Sequence, residues 1–372
     1  MATNIVLFAH NASHDSGAYT LTDDLSYDNF FDNFDFFSGP DPTRGFVQYH
    51  NASSAIEQGL VGYLEDTKSV FMGVDYTNKD PKGRASVRLE SKKNFNHGLL
   101  VADIRHMPPS QCGLWLACWL LGAESWPAGG EVDLVEGVND YEHNAVTLHT
   151  SNGCVVDNVT SLIPGSAQAD DFDAPFTGTL TTADCDVAAA NQDKNVGCSI
   201  KAPSSLSQVQ IGRGSSQDQT SLPSYGTEFN KAGGGIYAME WTTTSISVWF
   251  FPRTSPLYTS TANSTTPDPK QWGTPLAHFA GSGCDLAARF RDLRIIFNTA
   301  FCGEWAGKEW DRSCAEKTGV DTCDAYVRDH PEVFKEAYWE VSGLKWFQRQ
   351  APAKREMEGG AFVKAKGRFY RV

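Results

Sequence analysis

The sequence predicts an all-β protein: a sandwich of two antiparallel sheets with long loops and a few short helices. Four segments rich in β-branched and aromatic residues are typical of strands, at 87–90, 145–150, 293–299 and 338–341. Residues 236–241 and 246–251 flank the polar segment 242–245, which indicates a hairpin with a four-residue loop. Strands do not alternate regularly with helices, and this favours an antiparallel sandwich over a doubly wound sheet.

Helical patterns are few in this sequence. The clearest one covers residues 321–329, where Asp321 is a candidate N-cap and the helix is expected to stop before Pro331. Residues 151–230 are rich in Ser, Asp, Gly and Ala, and residues 252–275 mix Pro, Ser and Thr. We therefore expect long loops in both of these ranges.

Composition limits the classes of partner. The chain has 372 residues, 41% of them hydrophobic, which is enough for one large sandwich domain with a sizeable core. A net charge of −14 argues against nucleic acid, whose phosphates attract a basic surface. The 10 Trp, 12 Tyr and 22 Phe suit a neutral ligand better. No apolar run approaches the roughly 18 residues that a membrane span requires, so no membrane partner is expected.

Cysteine usage indicates the redox compartment. Nine cysteines occur without CxxC pairs, which excludes a zinc ribbon and a thioredoxin-like motif. Together with four Asn-x-Ser/Thr sequons, they favour a disulfide-bonded glycoprotein that is secreted or held in the cell wall. The odd count leaves one thiol unpaired or paired between chains, and we expect Cys118, inside an apolar run, to be buried and free. The sequons begin at Asn11, Asn51, Asn158 and Asn263.

The N-terminus does not resemble a secretion signal. Its apolar run, residues 5–9, is too short for a signal-peptide core and lacks preceding basic residues. Either a signal peptide has been removed or the protein is not secreted.

The central motif reads Gly-Gly-Glu-Val-Asp-Leu-Val-Glu-Gly at residues 129–137. On a regular strand Glu131 and Asp133 share one face, because side chains alternate, and Glu136 falls on the other face. One extra residue between Asp133 and Glu136, a β-bulge, returns Glu136 to the face of its partners. Glu131 and Glu136 are then about four strand steps apart, roughly 13 Å of backbone, and their side chains can close most of that gap.

This spacing suits glycoside chemistry. Retaining glycosidases need two carboxyl groups about 5–5.5 Å apart, whereas inverting enzymes separate them by about 6.5–9.5 Å. The predicted bulge permits the shorter separation. Asp133, between the two glutamates, supplies a like charge or a hydrogen bond to whichever Glu must hold a proton.

The three acids allow two other interpretations. A row of acids on a strand is most often a solvated surface, and three carboxylates can also bind Ca²⁺. Trp115, Trp119 and Trp126 before the motif, and His149 on the next predicted strand, weaken the first interpretation. Acids spaced along one strand, without nearby Asn or Asp loop ligands, make a poor calcium cage. We therefore expect no metal and no cofactor.

Residues 131–136 resemble the catalytic E-x-D-x-x-E signature of glycoside hydrolase family 16, in the bulged form of laminarinases. Xyloglucan transglycosylases, lichenases and fungal wall-crosslinking transglycosylases of that family carry the shorter E-x-D-x-E. Collinear similarity to fungal endo-1,3(4)-β-glucanases extends over about residues 19–348, for example at 113–115, 235–241 and 298–307. The resemblance implies a concanavalin-like β-jelly-roll with a concave groove for β-1,3- or mixed β-1,3/1,4-glucans.

The resemblance also implies roles for individual residues. Glu131 would be the nucleophile, Glu136 the general acid/base, and Asp133 would assist by tuning proton sharing. The implied reaction is a double displacement through a covalent glycosyl-enzyme with net retention. Six further residues are candidates for substrate binding, and core packing is the alternative for each aromatic among them: Trp119, Trp126, Trp272 and Trp115 as sugar-stacking platforms, and His149 and Arg88 as hydrogen-bonding groups.

We therefore expect three parts in the chain. These are an N-terminal extension (1–18), a catalytic β-sandwich domain (19–350) and a basic C-terminal tail (351–372). The protein is expected to be a monomer whose partner is a β-glucan polysaccharide. Two alternatives stay open: a non-catalytic, lectin-like glucan-binding module and a glucan transglycosylase on the same fold. A lectin would release no new reducing ends, whereas a transglycosylase would form longer oligosaccharides at high substrate concentration.

Overall fold

A computed structural model describes residues 17–157, 176–203, 208–210 and 219–349. Most of the predicted N-terminal extension, the whole C-terminal tail and the sequons at Asn11 and Asn158 lie outside the described residues. The other two sequon asparagines, Asn51 and Asn263, are exposed. Glycosylation at either position stays a prediction.

Strands dominate the described part of the chain. The seven α-helices found there are short, and none of them is long and apolar enough to cross a membrane. The strands are β1 (Tyr19–Ser26), β2 (Phe34–Phe36), β3 (Val47–Tyr49), β4 (Val61–Leu64), β5 (Ser69–Met72), β6 (Arg84–Ser86), β7 (Arg88–Ser91), β8 (Gly98–His106), β9 (Leu114–Gly122), β10 (Glu131–Val138), β11 (Ala145–His149), β12 (Thr179–Thr182), β13 (Cys198–Lys201), β14 (Gln208–Gln210), β15 (Gln219–Ser221), β16 (Gly235–Trp241), β17 (Ser245–Pro252), β18 (Ala277–Ala280), β19 (Leu293–Phe301) and β20 (Trp339–Arg349). The helices are α1 (Ala52–Glu57), α2 (Gly226–Lys231), α3 (Pro256–Ala262), α4 (Leu286–Arg289), α5 (Trp310–Ser313), α6 (Ala315–Thr318) and α7 (Cys323–Asp329).

Sixteen of these strands form two eight-stranded antiparallel sheets, and the other four form the two-stranded pairs β3-β6 (parallel) and β14-β15 (antiparallel). Sheet A has the order β18-β17-β16-β8-β20-β5-β4, with β1 also beside β20, and sheet B has the order β12-β13-β11-β10-β9-β19-β7-β2. The largest hydrophobic cluster lies between them and includes Trp241 and Trp346 of sheet A and Leu120 and Val132 of sheet B. Each fully buried large apolar side chain contributes about 1.5–3 kcal/mol. The predicted all-β sandwich is confirmed.

Strand β9 shows how the sequence separates the two faces of sheet B. Leu114, Leu116, Cys118 and Leu120 are buried, and Trp115, Trp119 and Leu121 alternate with them and are half-buried. This period of two places the tryptophans on the face that points away from the core. We call it the open face of sheet B.

The predicted strands and hairpin are confirmed. Trp241 pairs with Ile246 across β16 and β17, which leaves residues 242–245 as the loop. The four other predicted segments contribute to β7, β11, β19 and β20. The predicted helix also exists as α7, but its N-cap is Thr322, whose side chain accepts a hydrogen bond from the Ala325 amide. The choice of Asp321 was therefore wrong by one residue.

The two predicted long loops contain regular structure. Strands β12 to β15 lie within 151–230, helix α2 begins there and ends at Lys231, and helix α3 lies within 252–275. Strand β13 pairs with β11 and buries Ile200 in the core. Helix α3 begins with Pro256 after Ser255, whose side chain caps the Leu257 amide. That Ser-Pro pair is a helix-start signal that composition alone conceals.

Four disulfides join distant segments, and Cys118 is free and buried as predicted. The pair Cys112–Cys314 closes 202 residues, a length for which a disulfide stabilises by about 5 kcal/mol in the chain-entropy account. The Cys302–Cys323 bond ties the residue that follows β19 to α7. Both bonds fix the chain around the start of β9 and the end of β19. The other two pairs are Cys154–Cys284 and Cys185–Cys198.

Candidate active site

Strand β10 carries the three acids, and it contains the predicted bulge. Asp133 lies opposite Trp119 of β9, whereas Val135 lies opposite the adjacent Cys118, so Leu134 is the extra residue. Leu134 and Val135 both point into the core. Because two successive residues face inward, Glu136 returns to the open face with Glu131 and Asp133. The β-bulge that the residue count between Asp133 and Glu136 predicted is confirmed.

The neighbouring strands put specific groups opposite each acid. On the β11 side Glu131 lies opposite His149 and Asp133 opposite Thr147. On the β9 side Glu136 lies opposite Ala117, whose small side chain leaves room above the strand. Cross-strand partners share one face of a sheet, so these residues surround the acids on the open face.

Each acid has its own partner. The Trp126 indole Nε1 donates a hydrogen bond to Glu131 Oε2 over 2.6 Å, and the Trp115 Nε1 donates one to Glu136 Oε1 over 2.8 Å. His149 Nε2 lies 3.2 Å from Asp133 Oδ2. Asp133 is only 1% exposed, whereas both glutamates are half-buried. The glutamates are therefore the acids that a substrate can reach.

Burial and mutual repulsion hold protons in this cluster. Burial is the largest cause of a raised pKa in all three acids, and the charge of Asp133 is the second cause for both glutamates. The pKa of Glu131 rises to about 7, opposed by His149, the Trp126 hydrogen bond and Arg88. The pKa of Asp133 rises to about 8, and that of Glu136 lies well above its ordinary value. The site can therefore hold an ionised and a protonated carboxyl group near neutral pH.

Glu131, Asp133 and His149 also place one ligand atom each within 4.8 Å of one another, a grouping that could hold a cation. Within this group, Glu131 accepts a hydrogen bond from Trp126, and His149 Nε2 lies 3.2 Å from Asp133 Oδ2. The three side chains therefore form one closely packed set of titratable groups on the open face.

A polar layer beside the acids was only partly anticipated from the sequence. The guanidinium of Arg88 lies between the rings of Phe37 (4.7 Å) and Trp119 (5.0 Å). Glu90 accepts from Arg88 Nε over 2.9 Å and lies 3.0 Å from Arg294 Nη1. This arrangement holds the Arg88 guanidinium over the Trp119 ring on the open face.

Asn298 of β19 is a further site residue that sequence reasoning missed. Its Oδ1 accepts a hydrogen bond from Trp119 Nε1 over 2.7 Å, and its Nδ2 lies 3.3 Å from the Tyr49 hydroxyl. Asn298 lies directly opposite Ala117 and Arg88 on the neighbouring strands. Asn298 is a polar residue inside the mostly apolar strand 293–301, and this contrast is the sequence signal that could have identified it.

A chain of aromatic rings leads away from Glu136. Trp305 meets Trp115 edge-to-face at 5.7 Å, and Tyr141 meets Trp305 edge-to-face at 5.9 Å. Trp305 lies in a π-helical turn, Gly303–Gly307, that follows β19. Since this residue is outside any strand, period-two alternation could not indicate its direction.

The structure brings together the three acids and five of the six predicted binding residues. Trp115, Trp119, Trp126, His149 and Arg88 all lie at the open face, and Trp126 is 46% exposed. The placement of Trp272 in the groove was wrong. Trp272 is 4% exposed and packs edge-on against Trp249 and Phe251 of sheet A, 5.4 Å from each ring. It covers the outer apolar face of that sheet, with side chains from α3 in the same cluster.

Two accessible carboxylates on one sheet face, beside an exposed indole, are the arrangement that glycosidases use. The family model described as "XgeA-like, catalytic GH16 domain" matches residues 34–347. The chain is a member of glycoside hydrolase family 16, as its motif indicated.

Relatives and solved structures agree with this membership. An endo-1,3(4)-β-glucanase of Arthroderma benhamiae is 41% identical over 356 residues, which are 95% of this chain and 70% of that protein. A solved elongating family 16 β-1,3-glucosyltransferase is 38% identical, with a TM-score of 0.73 over 89% of this chain and 100% of that chain. Laminarinase 16A from Phanerochaete chrysosporium, solved with 6-O-glucosyl-laminaritriose in donor and acceptor sites, is 34% identical with the same TM-score and coverage.

The chain is shorter than many of its relatives. It spans 46% of a probable endo-1,3(4)-β-glucanase of Aspergillus fumigatus, which is 40% identical over 340 residues, or 90% of this chain. The similarity therefore covers the catalytic domain and not the rest of these relatives.

Proposed function

We propose that this glycoside hydrolase is an endo-acting enzyme that cleaves β-1,3- or mixed β-1,3/1,4-glucans with net retention. One observation carries the proposal. The bulge at Leu134 places Glu131 and Glu136 on one face of β10 with the buried Asp133 between them. The substrate class is supported by the names of the similar proteins and by the β-glucan oligosaccharides in the solved laminarinase.

The electrostatics support one assignment of roles. Glu131 is the group most readily ionised, because His149, Trp126 and Arg88 all oppose the rise of its pKa. An ionised carboxylate is required of a nucleophile. The repulsion that Glu136 receives from both Asp133 and Glu131 favours its protonated form, which a general acid needs. Glu131 is thus proposed as the nucleophile and Glu136 as the acid/base.

The proposed reaction has two displacements. In the first, a Glu131 oxygen attacks the anomeric carbon, the glycosidic C–O bond breaks, and Glu136 gives its proton to the departing oxygen. In the second, Glu136 takes a proton from water, and the water oxygen attacks the anomeric carbon and releases Glu131. The two inversions return the β-configuration.

Asp133 and His149 are proposed to control the protonation of the two glutamates. The buried Asp133 is too enclosed to reach a sugar, but its charge raises the pKa of both glutamates. His149 opposes that effect at Glu131 and Glu136. The pair therefore sets how firmly the two reacting carboxyl groups hold protons.

The open face offers apolar surfaces for pyranose rings. Trp126 is half exposed beside Glu131 and is proposed as a stacking platform next to the scissile bond. Trp119 and Arg88 form a second flat surface on the strands beyond Glu131. Trp115, bonded to Glu136, is proposed to contact the departing sugar.

Glutamine variants and anomer analysis test this assignment. Glu131→Gln and Glu136→Gln should each abolish laminarin cleavage while the variants stay folded, as their circular dichroism spectra would show. Glu240→Gln is the matched control, since Glu240 is half-buried on sheet A and pairs with Arg349. NMR of a fresh digest should show β-anomers first. Near wild-type cleavage by either active-site variant, or α-anomers first, would remove the proposal.

A second candidate, transglycosylation, is favoured by the similarity to an elongating β-1,3-glucosyltransferase. It uses the same glycosyl-enzyme, with a sugar hydroxyl in place of water. Product profiles on laminarin, lichenan, barley glucan and cellulose, recorded at low and high substrate, separate the two activities. Longer oligosaccharides at high substrate indicate transfer, and glucan binding without new reducing ends would indicate a lectin.

An extracellular or cell-wall location is part of the proposal. Four disulfides within the described residues are typical of oxidising compartments. We further propose that the protein acts as a monomer, which sedimentation at assay concentration would check.

A further inference from the structure

Asn144, the last residue before β11, lies beside β10 at a position where the pairing between these two strands would otherwise continue. Pairing between β10 and β11 runs from Glu131 and His149 to Asp133 and Thr147, and it ends there. On the β9 side the pairing resumes at Val135, after the bulge. The backbone of β10 beyond the bulge therefore has no β11 backbone as its partner.

The side chain of Asn144 replaces that partner. Its Nδ2 donates to the Leu134 carbonyl over 2.8 Å, and its Oδ1 accepts from the Glu136 amide over 3.0 Å. A side-chain amide offers one donor and one acceptor group in the manner of a peptide unit. Asn144 is 0% exposed, so water cannot take over these bonds.

Asn144 is also held through its own backbone. Its carbonyl accepts from the Ala202 amide, next to β13, over 2.8 Å. The buried Tyr237 of β16 lies near its side-chain amide. Both backbone groups that the Asn144 side chain binds lie at the bulge.

We infer that Asn144 is a positioning residue that closes the bulge and aims Glu136 at the departing glycosidic oxygen. The inference rests on the proposed role of Glu136 as acid/base. If the Asn144 bonds are lost, the Glu136 backbone can shift while Glu131 and Asp133, paired on both sides, stay in register. Acid catalysis should then fail, and nucleophilic attack should persist.

The chain supplies a matched control in Asn139. This residue is 1% exposed, and its Oδ1 accepts from the Gly113 amide over 2.9 Å while its Nδ2 donates to the Ala306 carbonyl over 3.0 Å. It makes the same two kinds of backbone bond as Asn144, but neither bond involves the bulge. Asn139→Asp and Asn144→Asp therefore remove equivalent bonds in different places.

The test compares two substrates in the full-length protein. Cleavage of laminarin needs a proton on the leaving sugar oxygen, whereas dinitrophenolate leaves from a 2,4-dinitrophenyl β-laminaribioside without one. The burst of phenol from the aryl substrate reports attack by Glu131 alone. In Asn144→Asp we expect kcat on laminarin to fall about 100-fold, as misplacement of a reacting group by an ångström does. The aryl burst should stay within about threefold of wild type.

The control variant Asn139→Asp and the reference variant Glu136→Gln determine how each outcome is interpreted. Asn139→Asp should change both rates by the same factor. If Asn144→Asp prevents folding, Asn144→Ser takes its place, because serine cannot bridge both backbone groups. It should show the same split, a loss on laminarin without a loss on the aryl substrate. Equal losses on both substrates in the Asn144 variants, or no loss, would overturn the inference. Glu136→Gln must itself show the split; if it does not, the acid/base assignment fails and this inference fails with it.

Discussion

The indole of Trp115 donates its N–H to Oε1 of Glu136 across neighbouring strands, at 2.8 Å. Trp126 makes the equivalent bond to Glu131, from the segment before the motif, at 2.6 Å. Each of the two glutamates therefore has one indole donor of its own. A donor favours the ionised form of its acceptor, so each bond opposes the rise in pKa that burial causes.

Replacement of Trp115 by Phe should move the basic limb of the pH profile. The variant keeps a ring against Trp305 but loses the donor, so the pKa of Glu136 rises further. In the proposed mechanism protonated Glu136 is the acid, so the basic limb of kcat/KM should shift to higher pH by about 0.5–1 unit, the value of one such hydrogen bond. Initial rates on laminarin across pH 4–9, roughly the working range of carboxyl and imidazole groups, check this. A basic limb that stays in place would contradict it.

Replacement of Trp126 by Phe should instead move the acidic limb. The lost bond raises the pKa of Glu131, and the proposed nucleophile must be ionised, so a more alkaline solution should be needed for activity. The expected shift is again about 0.5–1 pH unit upward. Trp126→Phe and Trp115→Phe control for each other, because both remove an indole donor. If both variants moved the same limb, the separate roles of the two glutamates would be wrong.

Loss of the Asp133 charge should act on both limbs together. That charge is the second cause of the raised pKa of Glu131 and of Glu136, so Asp133→Asn lowers both. The whole kcat/KM profile should shift towards acid, with a reduced maximum. Limbs that move in opposite directions would show that Asp133 acts on the glutamates through geometry and not through charge.

The raised pKa of Glu131 also predicts how stability depends on pH. The folded state holds this proton up to about pH 7, whereas an ordinary Glu loses it near 4.5. Between these values the native state binds more protons than the unfolded chain, so the free energy of unfolding falls as pH rises. Glu131→Gln removes this loss and should be more stable than wild type by about 1–3 kcal/mol at pH near 8, with little difference near pH 4. Urea unfolding at both values tests it, and an equal difference at both would contradict it.

The sequence predicted the acid strand because all the information is local. Glu131, Asp133 and Glu136 lie within six positions, and period-two alternation with one bulge determines their faces. The partners that sharpen the site are not local. Asn298 bonds Trp119, and Glu90 joins Arg88 to Arg294, only because β9, β19 and β7 are neighbours in sheet B, an order that no periodicity encodes.

Two other features show the same limit. The role of Asn144 depends on where the pairing of β10 with β11 ends, and an isolated Asn before a strand carries no sign of it. Trp272 has the composition of a sugar platform, but the hydrophobic outer face of sheet A binds it instead. Burial on one sheet or the other is decided by topology. Tryptophan content alone could not distinguish the two.

Separate replacement of Trp119 and Trp272 therefore tests which of the two rings binds substrate and which packs in the core. Trp119→Ala removes the ring beneath Arg88 on the open face and should raise KM for laminarin by about tenfold or more, since one aromatic contact is worth about 1–3 kcal/mol. Trp272→Ala leaves a cavity under α3 and should cost about 3–5 kcal/mol of unfolding free energy with KM unchanged. Steady-state kinetics and urea unfolding of both variants check the pair. A raised KM in Trp272→Ala at a temperature where it is folded would return that residue to the groove.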